Sequence, residues 1–427
     1  MKVLIIGGGG REHALAWKAA ASKQVEIVFV APGNAGTAAE SGVENIDISA
    51  TDIQGLLNFA NLHSIDLTIV GPEAPLVAGI CDQFAQHGLR CFGPSQKAAM
   101  LEGSKSFAKD FMQRHGIPTA AYQSFCDIDK AVNYIRSLSL PVVIKADGLA
   151  AGKGVIIADN LNFAEVTVRD MLSGNTFGEA GSRVVIEEFL VGEEVSYICL
   201  VDGKSVLPMA SSQDHKAAND GDTGANTGGM GAYSPSPIVD DALEQRILDT
   251  VIKPVVEGMA KEGAAYTGFL YAGLMVGADG IPNVVEFNCR FGDPEAQPVL
   301  TRLRSDLVAH CYAAVEGSID QQKTEWDPRS CLGVVMAAEG YPGSYSSGHV
   351  ISGLEGTVDG TKVFHAGTRE STEGVVTAGG RVLCITALGN SVADAQKIAY
   401  ERVDQIRWKG AWCRRDIGHR AVTRERS

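Results

Sequence analysis

The first hundred residues of the chain alternate short apolar runs with helix-like segments, and each run ends in a Gly/Pro loop. Residues 2–6 are apolar and lead into Gly7-Gly8-Gly9-Gly10 and a helical stretch from Arg11. Ile27–Val30 is closed by Ala31-Pro32-Gly33, and Leu67–Val70 by Gly71-Pro72-Glu73. A helix is expected near 52–62, and another leads to Cys91-Phe92-Gly93-Pro94. Strands alternating with helices at this spacing predict a parallel, doubly wound sheet. A site is then expected at the carboxyl edge of the strands.

After about residue 103 the texture changes. Helices are expected at 104–115 and 127–137, then an apolar run ending in Lys145. Strands at 184–187 and 195–200 read as antiparallel. Residues 211–237, rich in Gly, Asp and Asn, read as one long loop, too long to be passive. A helix over 240–262 precedes strands at 269–276 and 282–288. Beyond about 327 come strands at 331–337 and 381–387, a helix at 391–406 and a basic end. No internal repeat is apparent.

Composition narrows the function classes. Of 427 residues, 51 are acidic and 37 basic, a net charge of −14, so a broad nucleic-acid footprint is not expected. No apolar run reaches the roughly 18 residues of a membrane span. The apolar stretch at the start is too short for a signal peptide. Nine cysteines without a Cys-x-x-Cys pair fit a reducing cytoplasm and offer no zinc ribbon.

Several segments carry candidate chemistry. Gly7 and Gly9 open like a dinucleotide fingerprint, but Glu12 stands at the third position. Four consecutive glycines favour an anion cradle at a helix N-terminus over a packing turn. The segment Asp147–Val155 resembles a P-loop but is one residue short, and Gly154 replaces the hydroxyl residue. It suits a flap over polyphosphate, with Lys153 supplying charge. A solvated hairpin tip is the plainer alternative. Lys145, ending an apolar strand, needs a buried partner, and a phosphate would serve. Around Glu187 to Glu194, solvated carboxylates are the simpler reading, and a nucleoside pocket the sharper one.

On the strand 282–288, alternation predicts that Val284, Glu286 and Asn288 share one face, opposite Val285 and Phe287. A carboxylate beside an amide oxygen suits Mg²⁺. Arg290, just beyond the strand, could grip a carboxylate or phosphate bidentately. Of nine histidines only His13 and His215 lie near candidate sites, and a structural role is the better reading of His13.

These segments resemble the glycinamide ribonucleotide synthetase (phosphoribosylamine–glycine ligase) family of ATP-grasp enzymes over essentially the whole chain. The resemblance rests on Gly9–Ala14, Gly71–Leu76, Lys145–Gly154, Gln213–Lys216, Asn226–Pro235 and, most specifically, Arg290-Phe291-Gly292-Asp293-Pro294-Glu295-Ala296-Gln297. One departure is Ala225, where the family would have Pro. The resemblance implies an α/β chain in three parts. These are an N-terminal doubly wound domain (1–103), an ATP-grasp domain (104–325) with a mobile lid at about 120–192, and a small α+β C-terminal domain (326–427).

It also implies roles. Lys105, Lys145 and the flap residues Gly152, Lys153 and Gly154 would contact ATP phosphates. Glu187, Glu188, Phe189 and Leu190 would line the adenine pocket, and Glu194 would take the ribose. Glu286 and Asn288 would bind Mg²⁺ or Mn²⁺. Gly9, Gly10, Lys216, Asn226, Gly229, Arg290 and Asp293 would surround phosphoribosylamine and glycine, with Arg290, Lys145 and Asp214 carrying the chemistry. ATP, glycine and 5-phosphoribosylamine are the expected partners in a cytoplasmic ligase of purine synthesis, with no nucleic acid or membrane, and a monomer as the working expectation. A sister ATP-grasp ligase and a nucleotide-binding regulator without turnover remain the alternatives.

Overall fold

The computed structural model describes residues 1–149, 154–174 and 182–426. The opening apolar run forms the strand Lys2–Gly7, which pairs in parallel with Ile27–Pro32 on one side and Leu67–Val70 on the other. Val43–Asn45 and Cys91–Phe92 complete a five-stranded parallel sheet, doubly wound as expected. Alternation along the central strand explains why both faces are covered. Leu4 and Ile6 pack with Leu56, Leu57 and Ala60 of the helix Ile53–Leu62. Val3 and Ile5 pack with Ala14, Leu15 and Ala19 of the helix Gly10–Ala20. A parallel sheet buried on both sides is the arrangement such continuous apolar runs require.

A second sheet is antiparallel, in the order Val206–Pro208, Glu193–Asp202, Thr267–Val276, Pro282–Asn288. One face joins the core shared with Leu4 and Ile6, backed by Ile247, Val251, Val255 and Met259. Those residues belong to one continuous helical rod over 241–261, interrupted by a π segment at Leu248–Ile252. The other face, with Ile198, Leu200 and Phe269, packs on the helices Ala296–Arg302 and Leu307–Val315. The expected strands 184–187 and 195–200 therefore belong to different sheets. Val184–Glu188 sits in a third, with Tyr122–Phe125, Val142–Ala146 and Val155–Ala158, closed over its own core of Ile135, Ile144, Val168 and Ile186.

The expectation of one long loop over 211–237 is corrected. Gln213–Asp214 pairs with Gly231–Ser234, and Ala217–Asn219 pairs with Thr223–Asn226. Gly231–Ser234 in turn pairs with Ser330–Ala338, so this segment is the edge of the C-terminal sheet. Its strands are two to four residues long and mostly polar, which hides them from a period-two reading.

The strict alternation expected at 282–288 is also corrected. The ladder to the neighbouring strand slips between Gly273 and Leu274, which face Glu286 and Val284, leaving Val285 as a bulge. One extra residue shifts the phase of the strand beyond it. Val284 and Phe287 therefore both enter the core, and Glu286 and Asn288 are both left half-buried.

Candidate active site

The glycine loop comes first. Glu12, in the first turn of the helix Gly10–Ala20, accepts a hydrogen bond from the Gly9 N–H at 2.6 Å and from Arg11 Nε at 2.6 Å. Arg11 also donates to the Phe291 carbonyl. The loop does not present the fully free N–H cradle expected of it, because an internal carboxylate already serves Gly9. Gly10 packs against Gln297 so closely that a Cβ would overlap its amide. His13 is buried, its Nε2 bonded to Glu40 at 2.9 Å and its Nδ1 accepting from the His365 N–H at 2.8 Å.

Arg290 follows the strand Pro282–Asn288 and stands between two carboxylates. Its Nη2 is 2.9 Å from Glu102 Oε1, and its Nε is 3.3 Å from Glu73 Oε2. Glu102 also accepts from the Cys289 N–H at 2.7 Å. Burial pushes the Glu102 carboxyl up, against the pull of Arg290. The orientation that satisfies the Asn288 amide has its nitrogen donating to Glu102 Oε1 and the Phe287 carbonyl, which leaves its oxygen as an acceptor. Asp293 is held on both oxygens, by Gln297 at 2.8 Å and by Arg381 at 2.8 Å. Arg381, from the strand Arg381–Gly389, is a residue that sequence reasoning missed.

Next to these lies an acidic cluster around one lysine. Lys216 Nζ pairs with Glu194 and lies 3.4 Å from Glu286 Oε1. Lys216 above all, then Lys105, Lys145 and Arg290, draws the Glu286 carboxyl down to about 2, against burial. Asp214 shows the opposite outcome. Burial raises its carboxyl well above the usual range, and Glu295, Glu194 and Glu286 push the same way while Lys216 opposes them. Asp214 Oδ1 is buried without a hydrogen-bond partner. Glu295 accepts from Ser196 Oγ at 2.9 Å, and Ser196 also meets the Tyr271 hydroxyl.

The segment carrying Asp214 and Lys216 is fixed by the C-terminal part of the chain. The His215 N–H donates to the Gly231 carbonyl, and His215 Nε2 accepts from Gly418. Asp222 is gripped by Arg414 at 2.9 Å and Arg420 at 2.7 Å. Asn226 ends the hairpin strand paired with Ala217, and Gly229, with φ +110°, abuts Pro294.

The third sheet contributes a buried triad. Glu187 bridges Lys145 at 2.9 Å and Lys109 at 2.8 Å, and Lys145 also donates to the Val285 carbonyl at 2.9 Å. Lys109 was not anticipated. Its signal was a lysine among Ala108, Phe111 and Met112, on the buried face of the helix Lys105–Arg114. Lys105 opens that helix. Asp147 is bound there by Ser104 Oγ and by both the N–H and Oγ of Ser106, at 2.7–2.9 Å. Glu188 accepts from the Ala121 N–H, Phe189 is exposed, and Leu190 is half-buried. Gly154 precedes the strand Val155–Ala158, while Gly152 and Lys153 lie outside the described residues.

The structure thus brings Lys145, Glu286, Asn288, Lys216, Glu194 and Asp214 to one region, with Arg290 adjoining it. Two hard oxygen ligands, one of them a carboxylate ionised throughout the neutral range, suit a divalent cation that also bridges phosphates.

Comparison with known proteins divides the chain among three family models. Residues 1–102 match the model of the phosphoribosylglycinamide synthetase N domain, 103–296 the ATP-grasp (A) domain, and 331–420 the C domain. The chain is 64% identical to the phosphoribosylamine–glycine ligase of Allochromatium vinosum, over the whole of both. It is 62% identical to that of an Escherichia coli strain, again over both full lengths. The crystal structure of the phosphoribosylamine–glycine ligase of Thermotoga maritima matches with a TM-score of 0.85 at 34% identity, covering 98% of this chain and all of that one.

Proposed function

The chain belongs to the phosphoribosylglycinamide synthetase family, and from that premise we propose that it is an ATP-dependent carbon–nitrogen ligase joining glycine to 5-phospho-D-ribosylamine. The products are glycinamide ribonucleotide, ADP and phosphate, a step of purine (IMP) synthesis. The observation that carries this reading is the Lys145 ammonium bonded to the carbonyl of Val285, between the Val284 and Glu286 positions. It sets a phosphate-binding cation directly beside the proposed metal strand.

Glu286 and Asn288 would hold Mg²⁺, for which Mn²⁺ can substitute. A cation there supplies charge neutralisation at the outer phosphates of ATP. The chain's own residues do the rest. Lys105 and Lys145 bind the terminal phosphates, and Glu187 to Leu190 with Glu194 hold the nucleoside. An oxygen of the glycine carboxylate attacks the γ-phosphorus, the bond to the β-phosphate oxygen breaks, and ADP leaves. The resulting glycyl phosphate is attacked at its carbonyl carbon by the amine of phosphoribosylamine. Phosphate leaves carrying the glycine oxygen, and the proton the amine sheds passes to the carboxylate form of Asp214, whose buried Oδ1 has no hydrogen-bond partner. Arg290 orients the anionic groups, so catalysis is mainly positioning and charge stabilisation. Gly9, Gly10, Asn226 and Gly229 provide close backbone walls, and Asp293 acts by bracing them. We divide the chain into 1–103, 104–325 with a lid at about 120–192, and 326–427; the lid and the C-terminal part are supported by a separate core under the third sheet and another centred in the C-terminal part, while the first two parts share their core. We place the reaction in the cytoplasm, and among the described residues no helix is long and apolar enough to cross a membrane.

The test is ADP production with glycine or phosphoribosylamine omitted in turn, and with glycine labelled by heavy oxygen in its carboxylate. Full turnover is expected only with both, with one labelled atom in the inorganic phosphate. AMP as product, or label-free phosphate, would reject the mechanism.

A further inference from the structure

Lys109 is one of the most deeply buried lysines of the chain, 2% exposed, and the reaction as derived makes no use of it. Its ammonium donates to Thr119 Oγ1 at 2.7 Å and pairs with Glu187 Oε2 at 2.8 Å. Thr119 passes the chain on, donating to the Val284 carbonyl at 2.6 Å. The other oxygen of Glu187 pairs with Lys145, which reaches the next carbonyl of that strand, Val285. Four elements meet in this network: the helix Lys105–Arg114 and the strands Val142–Ala146, Val184–Glu188 and Pro282–Asn288.

Two ammonium groups pair directly with one carboxylate here, and Glu286 faces Lys145 from farther off. A buried pair of like charges persists only with good geometry and enough counter-charge. Besides Glu187, the groups facing Lys109 are the more distant Glu188, whose side chain is exposed, and the ring of Tyr122, 5.6 Å away. The triad therefore keeps a net positive charge that a phosphate would complete.

We propose that Lys109 is a positioning residue for the nucleotide site: by sharing Glu187 with Lys145, it keeps the Lys145 ammonium from being neutralised internally and aims it at the terminal phosphates of ATP. The inference rests on the reading of Lys145 as a phosphate ligand. Without Lys109, Glu187 would turn wholly to Lys145, and the excess charge would vanish. Burial lowers the Lys109 ammonium to about 8, with Glu187 opposing that fall and Lys145 adding to it. Rising pH should then remove the same charge that mutation removes.

The test is steady-state ADP production by the full chain with Lys109→Met, Lys109→Gln and Lys109→Arg, beside direct ATP binding. The two neutral variants are expected to raise the KM for ATP about tenfold, with the glycine KM within about twofold, because a lost close charge weakens its own ligand. Lys109→Arg should recover most of the ATP affinity. It should also abolish the rise in ATP KM expected of the unmodified chain above about pH 8, since guanidinium stays charged. An unchanged ATP KM in the neutral variants, an equal rise for both substrates, or failure of both neutral variants to fold would each overturn the proposal, marking Lys109 as structural filling. If the unmodified chain makes no ADP, the proposed function itself fails. If it turns over and the variants bind ATP normally, only the role of Lys109 does.

Discussion

The ammonium of Lys216 lies 3.4 Å from Oε1 of Glu286 and also pairs with Glu194, so one lysine bridges two carboxylates in a tight acidic cluster. The Glu286 carboxyl, drawn down to about 2 mainly by Lys216, keeps its charge at every pH from about 4.5 upward. Because the folded value lies below the unfolded one, this pairing favours the folded state above about 4.5 and is lost as pH falls toward about 2. Glu286→Gln keeps the shape and removes that charge, which Asn288 cannot replace. Turnover should fall on the order of 10³-fold with the fold intact, as when a preorganised charge is removed from a reacting centre. Circular dichroism and ADP release at saturating magnesium check this. Near-normal turnover would put the metal elsewhere.

Gly229 offers a test of the wall proposed around the substrates. Its φ of +110° is strained for any side chain, and a Cβ would overlap Pro294 Cδ. Gly229→Ala should cost at least about 2 kcal/mol of stability, combining backbone strain with a clash. Gly221, at φ +69° with open space around it, is the control, and alanine there should cost about 1 kcal/mol. Urea unfolding of both variants measures the difference. Equal losses would show that Pro294 yields freely.

Much of this was legible in the sequence, and the exceptions have physical causes. Continuous apolar runs such as Val3–Ile6 and Leu67–Val70 report a sheet covered on both faces, and the structure places them so. The face shared by Glu286 and Asn288 was legible too, but Val284 was misplaced, because a bulge at Val285 leaves no mark in a period-two pattern. The strands inside 211–237 are too short and polar to register, and their ladder is completed by Ser330–Ala338, a hundred residues away in rough terms. Arg381 gave no signal, since it opens an ordinary apolar strand and acts through a distant partner.

Acid should weaken the contact between the N-terminal and C-terminal parts. His365 is lowered to about 3, chiefly by burial, then by His13 and Lys362. An unfolded histidine titrates near 6.5. The unfolded state therefore binds the proton first, and stability present above about 6.5 is lost as pH falls toward about 3. The decline is at most about 1.4 kcal/mol per pH unit for each proton taken up. Below 4.5 Glu40, lowered to about 2 by its bonds to His13 and Lys362, adds to the loss. His365→Asn should lessen the fall between about 6.5 and 4.5, where His13, also lowered by burial, sustains part of it, and leave the steeper part below. Urea midpoints across that range decide the matter, and parallel curves for both proteins would mean that His365 is protonated freely in the folded state.

The clamp between Arg381 and Asp293 makes a separable prediction. Arg381 directs its fork to the Asp293 carboxylate at 2.8 Å, to the Asp293 carbonyl at 2.7 Å and to the Gly228 carbonyl. It thereby ties the C-terminal strand to the octapeptide that begins at Arg290 and to the segment carrying Gly229. Asp293 is lowered by Arg381 first among the groups that oppose its burial, so it stays ionised and committed to this bond. Lysine has one ammonium and cannot serve all three acceptors. Arg381→Lys should therefore lose about 2 kcal/mol of stability, less than the 3–5 kcal/mol typical when a fully buried pair is broken, because both partners retain some exposure. Its kinetic effect should fall on one side of the site. The walls near Gly10 and Gly229 would loosen, and the KM values for glycine and phosphoribosylamine would rise. The proposed nucleotide ligands Lys145 and Glu187 lie on other elements and, among the described residues, share no partner with Arg381, so the KM for ATP should hold within about twofold. A parallel rise in all three KM values would show that Arg381 braces the whole cleft rather than its substrate side.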